Sequence, residues 1–242
     1  MSVFTPFYDS FMDDSIYGDY QSLMKRLYPN QKASLLDMAC GTARLSITLA
    51  NDGFKMEGLD ISEAMLVEAN ANQVESNTAF PLYQMDMREL DGLGSYEGII
   101  CSLDSMCYIE VFEDVSKVIQ EAYIHLDKGG YFIFDVHSLY KLNEVFPGFQ
   151  YHNDLGEDTF LWTCYLTDRP NTVVHEMTAF IYNEANEAYD RYGKDIYEYG
   201  HEVADYLKAI KNAGFTDIDV LGDGAIQNAS ENSERLYFIC KK

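Results

Sequence analysis

At 242 residues, 47% of them hydrophobic, the chain is long enough to bury the core of one domain carrying an insertion. Lysine and arginine total 17 against 40 aspartates and glutamates, a formal charge of -23 that repels phosphodiester backbones and disfavours a nucleic-acid partner unless another protein supplies basic surface. The cysteines at 40, 101, 107, 164 and 240 lack CxxC pairing and fit reduced thiols in the cytoplasm; residues 1–15 do not read as a signal peptide, and no apolar run spans a bilayer.

In chain order, strands are predicted near 34–39, 55–60, 81–85, 97–102 and 130–136, with helices near 43–51, 62–73 and 113–126. This alternation argues a parallel sheet with helices on both faces. Ser62 stands where an N-cap belongs, and Lys128-Gly129-Gly130 reads as the turn that ends the third helix. From about 148 to 201 the apolar period changes to two, as in Phe160-Leu161-Trp162-Thr163-Cys164-Tyr165-Leu166 and in Val173 to Ile181. Asp168-Arg169-Pro170-Asn171 and Asn183 to Glu187 read as turns joining three antiparallel strands. Helix resumes near 203–213, Gly214 caps it, and strands near 217–222 and 235–241 close the sheet. The absence of repeats and low-complexity linkers argues a single domain over 1–242, with 148–201 inserted into it.

Leu35 to Arg44 passes from a buried strand through a turn of small residues into a helix, and about twenty residues later Gly58-Leu59-Asp60 ends a second strand. A tight turn after one strand and a carboxylate after the next is how a Rossmann-type sheet grips an adenine nucleoside. The positions of a dinucleotide GxGxxG pattern hold Ala39, Gly41 and Arg44. An arginine at the third is expected to push helix from strand, which disfavours the pyrophosphate of NAD or FAD and points to a phosphate-free nucleoside such as S-adenosylmethionine (SAM).

Asp37-Met38-Ala39-Cys40-Gly41-Thr42-Ala43 resembles the first motif of the class I SAM-dependent methyltransferases, D/E-x-G-x-G-T/S-G, with both outer glycines replaced by alanine. Segments 58–66, 84–87, 96–102 and 126–134 match that family in order, a more specific signal than the first motif alone. Phe134 to Leu142, the N-terminal Phe7-Tyr8-Asp9 and the late Glu234-Arg235 look closest to its bacterial YqeM-like branch, over nearly the whole chain. The resemblance implies an α/β, Rossmann-like, seven-stranded and mostly parallel sheet whose last strand is antiparallel, with the inserted β-hairpins lying over its carboxyl edge as a substrate lid.

Asp60 is expected to accept from both ribose hydroxyls, an ionised carboxylate having acceptor capacity for two donors; its plain alternative is a charge at a helix N-terminus. Gly41, with Ala39 and Cys40 beside it, would let backbone approach the cofactor, and Asp37 would reach its amino group directly or through water. By the resemblance, Ile61 and Met65 belong to the ribose segment, Asp86 and Met87 to the adenine contact, and Cys101, Ser102 and Leu103 line the transferring methyl. Tyr8 would close over the cofactor carboxylate. Cys40 and Cys101 are read as small packers, because methyl transfer from a sulfonium needs no covalent enzyme intermediate.

Candidates for a general base are Asp104, His137, His175, Glu176 and His201, with His137 and Asp104 foremost because they follow strands at the carboxyl edge. Aromatics crowd the insertion at Tyr151, Trp162, Tyr165, Tyr182, Tyr189, Tyr192, Tyr197 and Tyr199, either to cage an acceptor or to pack the hairpins. No HExxH-like spacing is present, so no metal is expected. The reading is a cytoplasmic SAM-dependent methyltransferase acting on oxygen or nitrogen of a small-molecule acceptor, and a likeness to sugar N-methyltransferases in the first four strands suggests an amine. The alternatives are a SAM-binding regulatory protein without turnover and a NAD-dependent oxidoreductase. No membrane is expected as partner, and the oligomeric state stays open, a homodimer being one option.

Overall fold

The computed structural model describes residues 15–155 and 158–242, the side chains of 154 and 155 excepted. Helix α1 (Ser15–Leu27) precedes the alternation β1 (Ser34–Met38), α2 (Arg44–Asp52), β2 (Lys55–Asp60), α3 (Glu63–Glu75), β3 (Leu82–Gln84), β4 (Tyr96–Cys101), α4 (Phe112–His125) and β5 (Leu126–His137). Then come β6 (Gln150–Leu155), β7 (Asp158–Leu166), β8 (Thr172–Asn183), β9 (Ala188–Tyr199), α5 (Val203–Ala213), β10 (Asp217–Leu221) and β11 (Arg235–Lys241).

Seven strands form one sheet in the order β10-β11-β5-β4-β1-β2-β3, and β11 pairs antiparallel with both of its neighbours. The direction of strand ordering reverses beside β1, which pairs in parallel with β2 on one side and β4 on the other. Ligands of open α/β sheets bind at the carboxyl ends of strands around such a reversal, here those of β1, β2 and β4. The strands read as apolar runs because both faces are covered. Leu36, Met38, Ile99 and Phe132 pack with residues of α4 and α5. Leu35, Ile100, Ile133 and Ile239 pack with residues of α1 and α2. Each fully buried side chain of this size contributes about 1.5–3 kcal/mol.

β6 to β9 form a second, antiparallel sheet of four strands rather than the three expected. The extra strand, β6, pairs with β7 from Gln150↔Thr163 to Leu155↔Asp158 and has no alternating apolar pattern of its own. Two more differences are local. Helix α4 ends at His125 and β5 starts at Leu126, so Gly129 and Gly130 lie within the strand and not in a turn before it. A Cβ on Gly130 would lie 2.5 Å from the Glu97 carbonyl oxygen, which explains glycine at the irregularity between β4 and β5. Helix α1 was not anticipated, although Tyr17, Tyr20, Met24 and Leu27 recur at three- and four-residue spacing; its buried face is Tyr17, Tyr20, Leu23 and Met24. No helix among the described residues is long and apolar enough to cross a membrane.

Candidate active site

The loop after β1 takes three left-handed residues in a row of five: Ala39 (φ 60°), Gly41 (φ 56°) and Ala43 (φ 62°). Its shape is therefore the one a glycine-rich turn would adopt, with two alanines bearing the steric cost of about 1–2 kcal/mol each. At Gly41 nothing lies within 4 Å of where a Cβ would be, leaving an open cradle above the backbone. Gly58, on β2 beneath the loop, is needed for the opposite reason, since a Cβ there would stand 2.9 Å from Leu82 and 3.0 Å from Cys40 Sγ.

Asp60 ends β2 with its carboxylate fixed by two backbone donors: Gly41 N–H reaches Oδ2 at 2.9 Å, and Ser62 N–H reaches Oδ1 at 2.8 Å. Each oxygen keeps a further lone pair, so one carboxylate can serve two adjacent hydroxyls. Burial raises its pKa, opposed by the backbone hydrogen bonds from Ser62, Gly41 and Ile61. Asp37, in β1 and 1% exposed, accepts from the Ser46 hydroxyl on Oδ2, while Oδ1 is buried without a hydrogen-bond partner. Burial pushes this carboxyl up to about 7. An orphaned carboxylate oxygen is costly unless a ligand supplies the donor, and the ammonium of a methionine moiety fits it.

A cavity of about 420 Å³ opens beside these groups, lined by Asp60, Ile61, Asp86, Met87 and Tyr108 among others. Ile61 is 66% exposed at its mouth, an apolar platform next to the carboxylate. Asp86 lines the cavity with both oxygens engaged by Arg88, at 2.9 Å and 3.1 Å from Nε, and Arg88 also reaches Asp114 at 2.7 Å. An adenine amine would thus have to share the Asp86 oxygens with Arg88.

A second cavity, of about 390 Å³, lies on the other side of Tyr108 and is enclosed by α1, the end of β5, the four-stranded sheet and the start of β11. Tyr108 lines both cavities and donates to Asp104 Oδ2 at 3.0 Å. Leu103 and Asp104 are both left-handed, with φ 57° and 51°. Their backbone N–H groups donate to the fully buried Asp135 carboxylate at 2.8 Å and 3.0 Å. The same carboxylate accepts from the Tyr20 hydroxyl and from Arg235 Nη1. Four donors therefore hold the strained turn that delivers Asp104 to the cavity.

His137, at the end of β5, sits between this cluster and the second sheet. Its Nδ1 is 2.7 Å from Glu198 Oε2, and its Nε2 is 2.9 Å from Arg235 Nη2, which can only donate. Arg235 Nη2 also reaches Asp104 Oδ1 at 2.9 Å. Burial disfavours the charged imidazole, yet Asp104 and Glu198 outweigh burial and Arg235, so the pKa of His137 is raised. Beyond Glu198 the chain of contacts continues to His175 Nε2, 3.0 Å from Oε1, and the Trp162 indole donates to His175 Nδ1 at 3.0 Å. The His175 Nε2 contact is skewed, falling outside hydrogen-bond geometry although within ion-pair distance.

Of the sequence-predicted residues, Asp37, Ala39, Gly41, Asp60, Ile61, Asp86 and Met87 converge on the first cavity or its rim. His137, Asp104 and His175 converge on the second. Several do not. Cys101 is fully buried with Sγ 3.9 Å from Met87 Sδ, a core packer whose thiol burial raises in pKa. Cys40 packs under the loop, and burial raises its thiol too. Leu103 packs among the residues of α1 and α2, and Met65 is half-buried in α3, its N–H capped by Ser62. Glu176 points to solvent on the face of β8 opposite His175. His201 packs edge-on against Phe112 and Tyr206 away from both cavities, and burial lowers its pKa. Of the aromatics singled out in the insertion only Trp162 lines the second cavity, whereas Tyr165, Tyr189, Tyr192 and Tyr197 are exposed. Tyr8 lies outside the described residues. Arg44 does not wedge α2 from β1; its guanidinium turns to the Tyr17 ring on α1, 4.9 Å from the centroid.

Glu198 and Arg235 are the functional candidates that sequence reasoning missed. The signal at Glu198 was available, a carboxylate at an inward position of a strand whose neighbours Tyr197 and Asp195 face outward. Cys107, His137 and Glu198 offer ligand atoms within 4.8 Å of one another. The Arg235 guanidinium beside His137 opposes a divalent cation there, and a fully buried thiol resists the ionisation that metal ligation requires.

Residues 35–130 match the family model described as a methyltransferase domain. Two bacterial proteins that carry methyltransferase names are similar over their full length: GWCH70_2453 of Geobacillus sp. (strain WCH70), at 31% identity over 99% of this chain and 98% of that one, and YqeM of Bacillus subtilis (strain 168), at 32% over 99% and 96%. The chain belongs to the SAM-dependent methyltransferases, in the branch that includes YqeM. Its fold is that of a SAM-dependent methyltransferase from Clostridium acetobutylicum ATCC 824, with a TM-score of 0.82 at 24% identity over 99% of this chain and 96% of that one. The sugar N-methyltransferase KedS8 from Streptoalloteichus sp. ATCC 53650 superposes with a TM-score of 0.81 at 20% identity over 100% and 93%. Membership in this family makes SAM the cofactor and sets aside the NAD-dependent reading. That exclusion rests on the family, since Arg44 does not act as the wedge expected of it.

Proposed function

We propose that the protein moves a methyl group from SAM to oxygen or nitrogen of a small-molecule acceptor, an amine being the favoured case. The observation that carries this reading is a second cavity adjoining the cofactor cavity at Tyr108 and lined by five carboxylates, Asp19, Asp104, Glu198, Asp223 and Glu234, against two fixed cations, Lys141 and Arg235. Such a lining favours a cationic amine over an anion. The space suits a small molecule, and the strongly acidic chain argues against a nucleic acid.

Asp60 would hold the ribose, Asp37 the ammonium of the methionine moiety, and Ile61, Asp86 and Met87 the adenine side. SAM, when bound, supplies a methyl on a cationic sulfur whose loss leaves the neutral thioether S-adenosylhomocysteine. What remains for the protein is alignment, exclusion of water and acceptance of the acceptor proton. Asp104 and His137 carry that last role: Asp104 faces Tyr108 at the junction, and His137 can take a proton between two carboxylates. The four-stranded sheet would act as the lid of a single domain. Five unpaired cysteines accord with work in a reducing cytoplasm.

The test is methyl transfer from labelled SAM to a panel of small amines and alcohols, run on the wild type, His137→Gln and Asp104→Asn. Turnover on an amine, reduced about 100-fold or more in at least one variant, is expected. Turnover confined to anionic acceptors, or unaffected by both substitutions, would contradict the reading.

A further inference from the structure

Trp162, His175, Glu198 and His137 line up from the second sheet to the end of β5 at successive separations of 3.0, 3.0 and 2.7 Å, the middle one an ion-pair approach and not an aligned hydrogen bond. His175 and Glu198 are 2% and 3% exposed, so the middle of the line is buried in the wall of the second cavity. Its direction can be assigned from chemistry. The Trp162 indole can only donate, which makes His175 Nδ1 the acceptor and places the proton of a neutral His175 on Nε2, facing Glu198. Arg235 likewise can only donate, which makes His137 Nε2 an acceptor and puts its proton on Nδ1, facing the other oxygen of Glu198. Phe146 stands edge-on to both imidazoles, its centroid 5.0 Å from each, and so separates the rings and fixes their planes.

We propose that Glu198 and His175 are positioning residues for the transfer reaction: Glu198 keeps the proton of neutral His137 on Nδ1, leaving the Nε2 lone pair turned toward Asp104, Arg235 and the acceptor cavity. The inference rests on the reading that His137 receives the acceptor proton. In that step the acceptor heteroatom keeps the electron pair of its N–H or O–H bond, Arg235 Nη2 gives up its hydrogen bond to Nε2 while keeping the one to Asp104 Oδ1, and the freed Nε2 lone pair takes up the proton. The imidazolium so formed keeps Nδ1–H on ionised Glu198, and its positive charge lies within ion-pair distance of Asp104 Oδ1, 3.6 Å from Nε2. Glu198 is ready for this because His137 and His175 outweigh its burial and hold its carboxyl well below the usual range. The charged and titratable groups facing His137 are Asp104 from the turn after β4, Cys107 from the short helix behind it, Glu198 from β9 and Arg235 from β11. Lys141 stands beyond Phe146, paired with Glu234.

The experiment needs no acceptor: long-range proton–nitrogen NMR spectra of the imidazoles, followed against pH in the intact protein and in Glu198→Gln and His175→Gln. Wild-type His137 is expected as the Nδ1–H tautomer. A glutamine amide can donate as well as accept and carries no charge. Glu198→Gln should therefore mix the tautomers and lower the proton affinity of His137 about tenfold or more. His175→Gln should do the same more weakly, and it serves with the wild-type spectrum if the first variant does not fold. A wild-type His137 with its proton on Nε2, or an unchanged tautomer and titration in Glu198→Gln, would overturn the proposal. Undiminished methyl transfer by His137→Gln would instead remove the reading beneath it, whatever the tautomer.

Discussion

His137 Nδ1 and Glu198 Oε2, 2.7 Å apart, join the last residue of β5 to β9, so the cofactor-binding sheet and the four-stranded sheet meet through a buried charge contact. Each residue also meets a polar group on its own sheet, Arg235 Nη2 at 2.9 Å from His137 Nε2 and His175 Nε2 at 3.0 Å from Glu198 Oε1. The contact makes the second cavity a joint product of both sheets. It also makes the orientation of His137 depend on a residue sixty-one positions later in the chain.

Asp37 should show a pH-dependent compromise between stability and binding. Burial raises its pKa from the ordinary 3.8 to about 7 in the folded state, which therefore binds more protons between those limits. The stabilisation is full below about 3.8 and is lost as pH rises through about 7. Asp37→Asn is expected to raise the cofactor-free protein's stability at about pH 8 by roughly 1–3 kcal/mol and to weaken SAM binding. In the wild type, SAM affinity should fall as pH drops below about 7, because only the carboxylate pairs with an ammonium. Thermal unfolding and calorimetry on both proteins at acidic and alkaline pH check this, and a less stable variant at alkaline pH would count against it.

The two left-handed alanines of the first loop should respond differently to glycine. Ala39 is half-buried, so Ala39→Gly relieves about 1–2 kcal/mol of backbone strain against about 0.4–1 kcal/mol of added unfolded-state entropy, a net gain. Ala43 is fully buried, and losing its methyl costs about 0.8 kcal/mol more, which should bring Ala43→Gly close to neutral. Chemical denaturation of the two variants should rank them in that order.

Breaking the Asp135 cluster should be far more damaging than breaking a surface pair. Asp135→Asn removes the charge opposite buried Arg235 and weakens the anchor of Leu103 and Asp104, at a cost of about 3–5 kcal/mol. Arg169→Ala breaks a pair with Glu110 whose side chains are 48% and 63% exposed, and should cost less than about 1 kcal/mol. Denaturation midpoints that place the two variants together would contradict the assigned role of Asp135.

The alternation of apolar runs with a small-residue turn made the parallel half of the sheet legible, and the place of Asp60 at the rim of the first cavity with it, because this carboxylate directly ends its strand. Glu198, Arg235 and helix α1 were not legible as parts of the site, since their roles depend on which distant elements the fold brings together. Tyr20 and Asp135 are 115 positions apart, and Arg235 and Asp104 are 131. Histidines showed the same limit: His175 and His201 look equivalent in the sequence, yet one lines a cavity beside Glu198 and the other packs against two aromatic rings.

Calorimetry of SAM with the wild type and Asp60→Ala asks whether Asp60, set by Gly41 and Ser62, anchors the ribose of SAM. One site is expected in the wild type, with a loss of about 100-fold or more in affinity in a variant that remains folded by circular dichroism, as two charge-assisted hydrogen bonds disappear. Equal affinity in a folded Asp60→Ala, or no binding to the wild type, would contradict it.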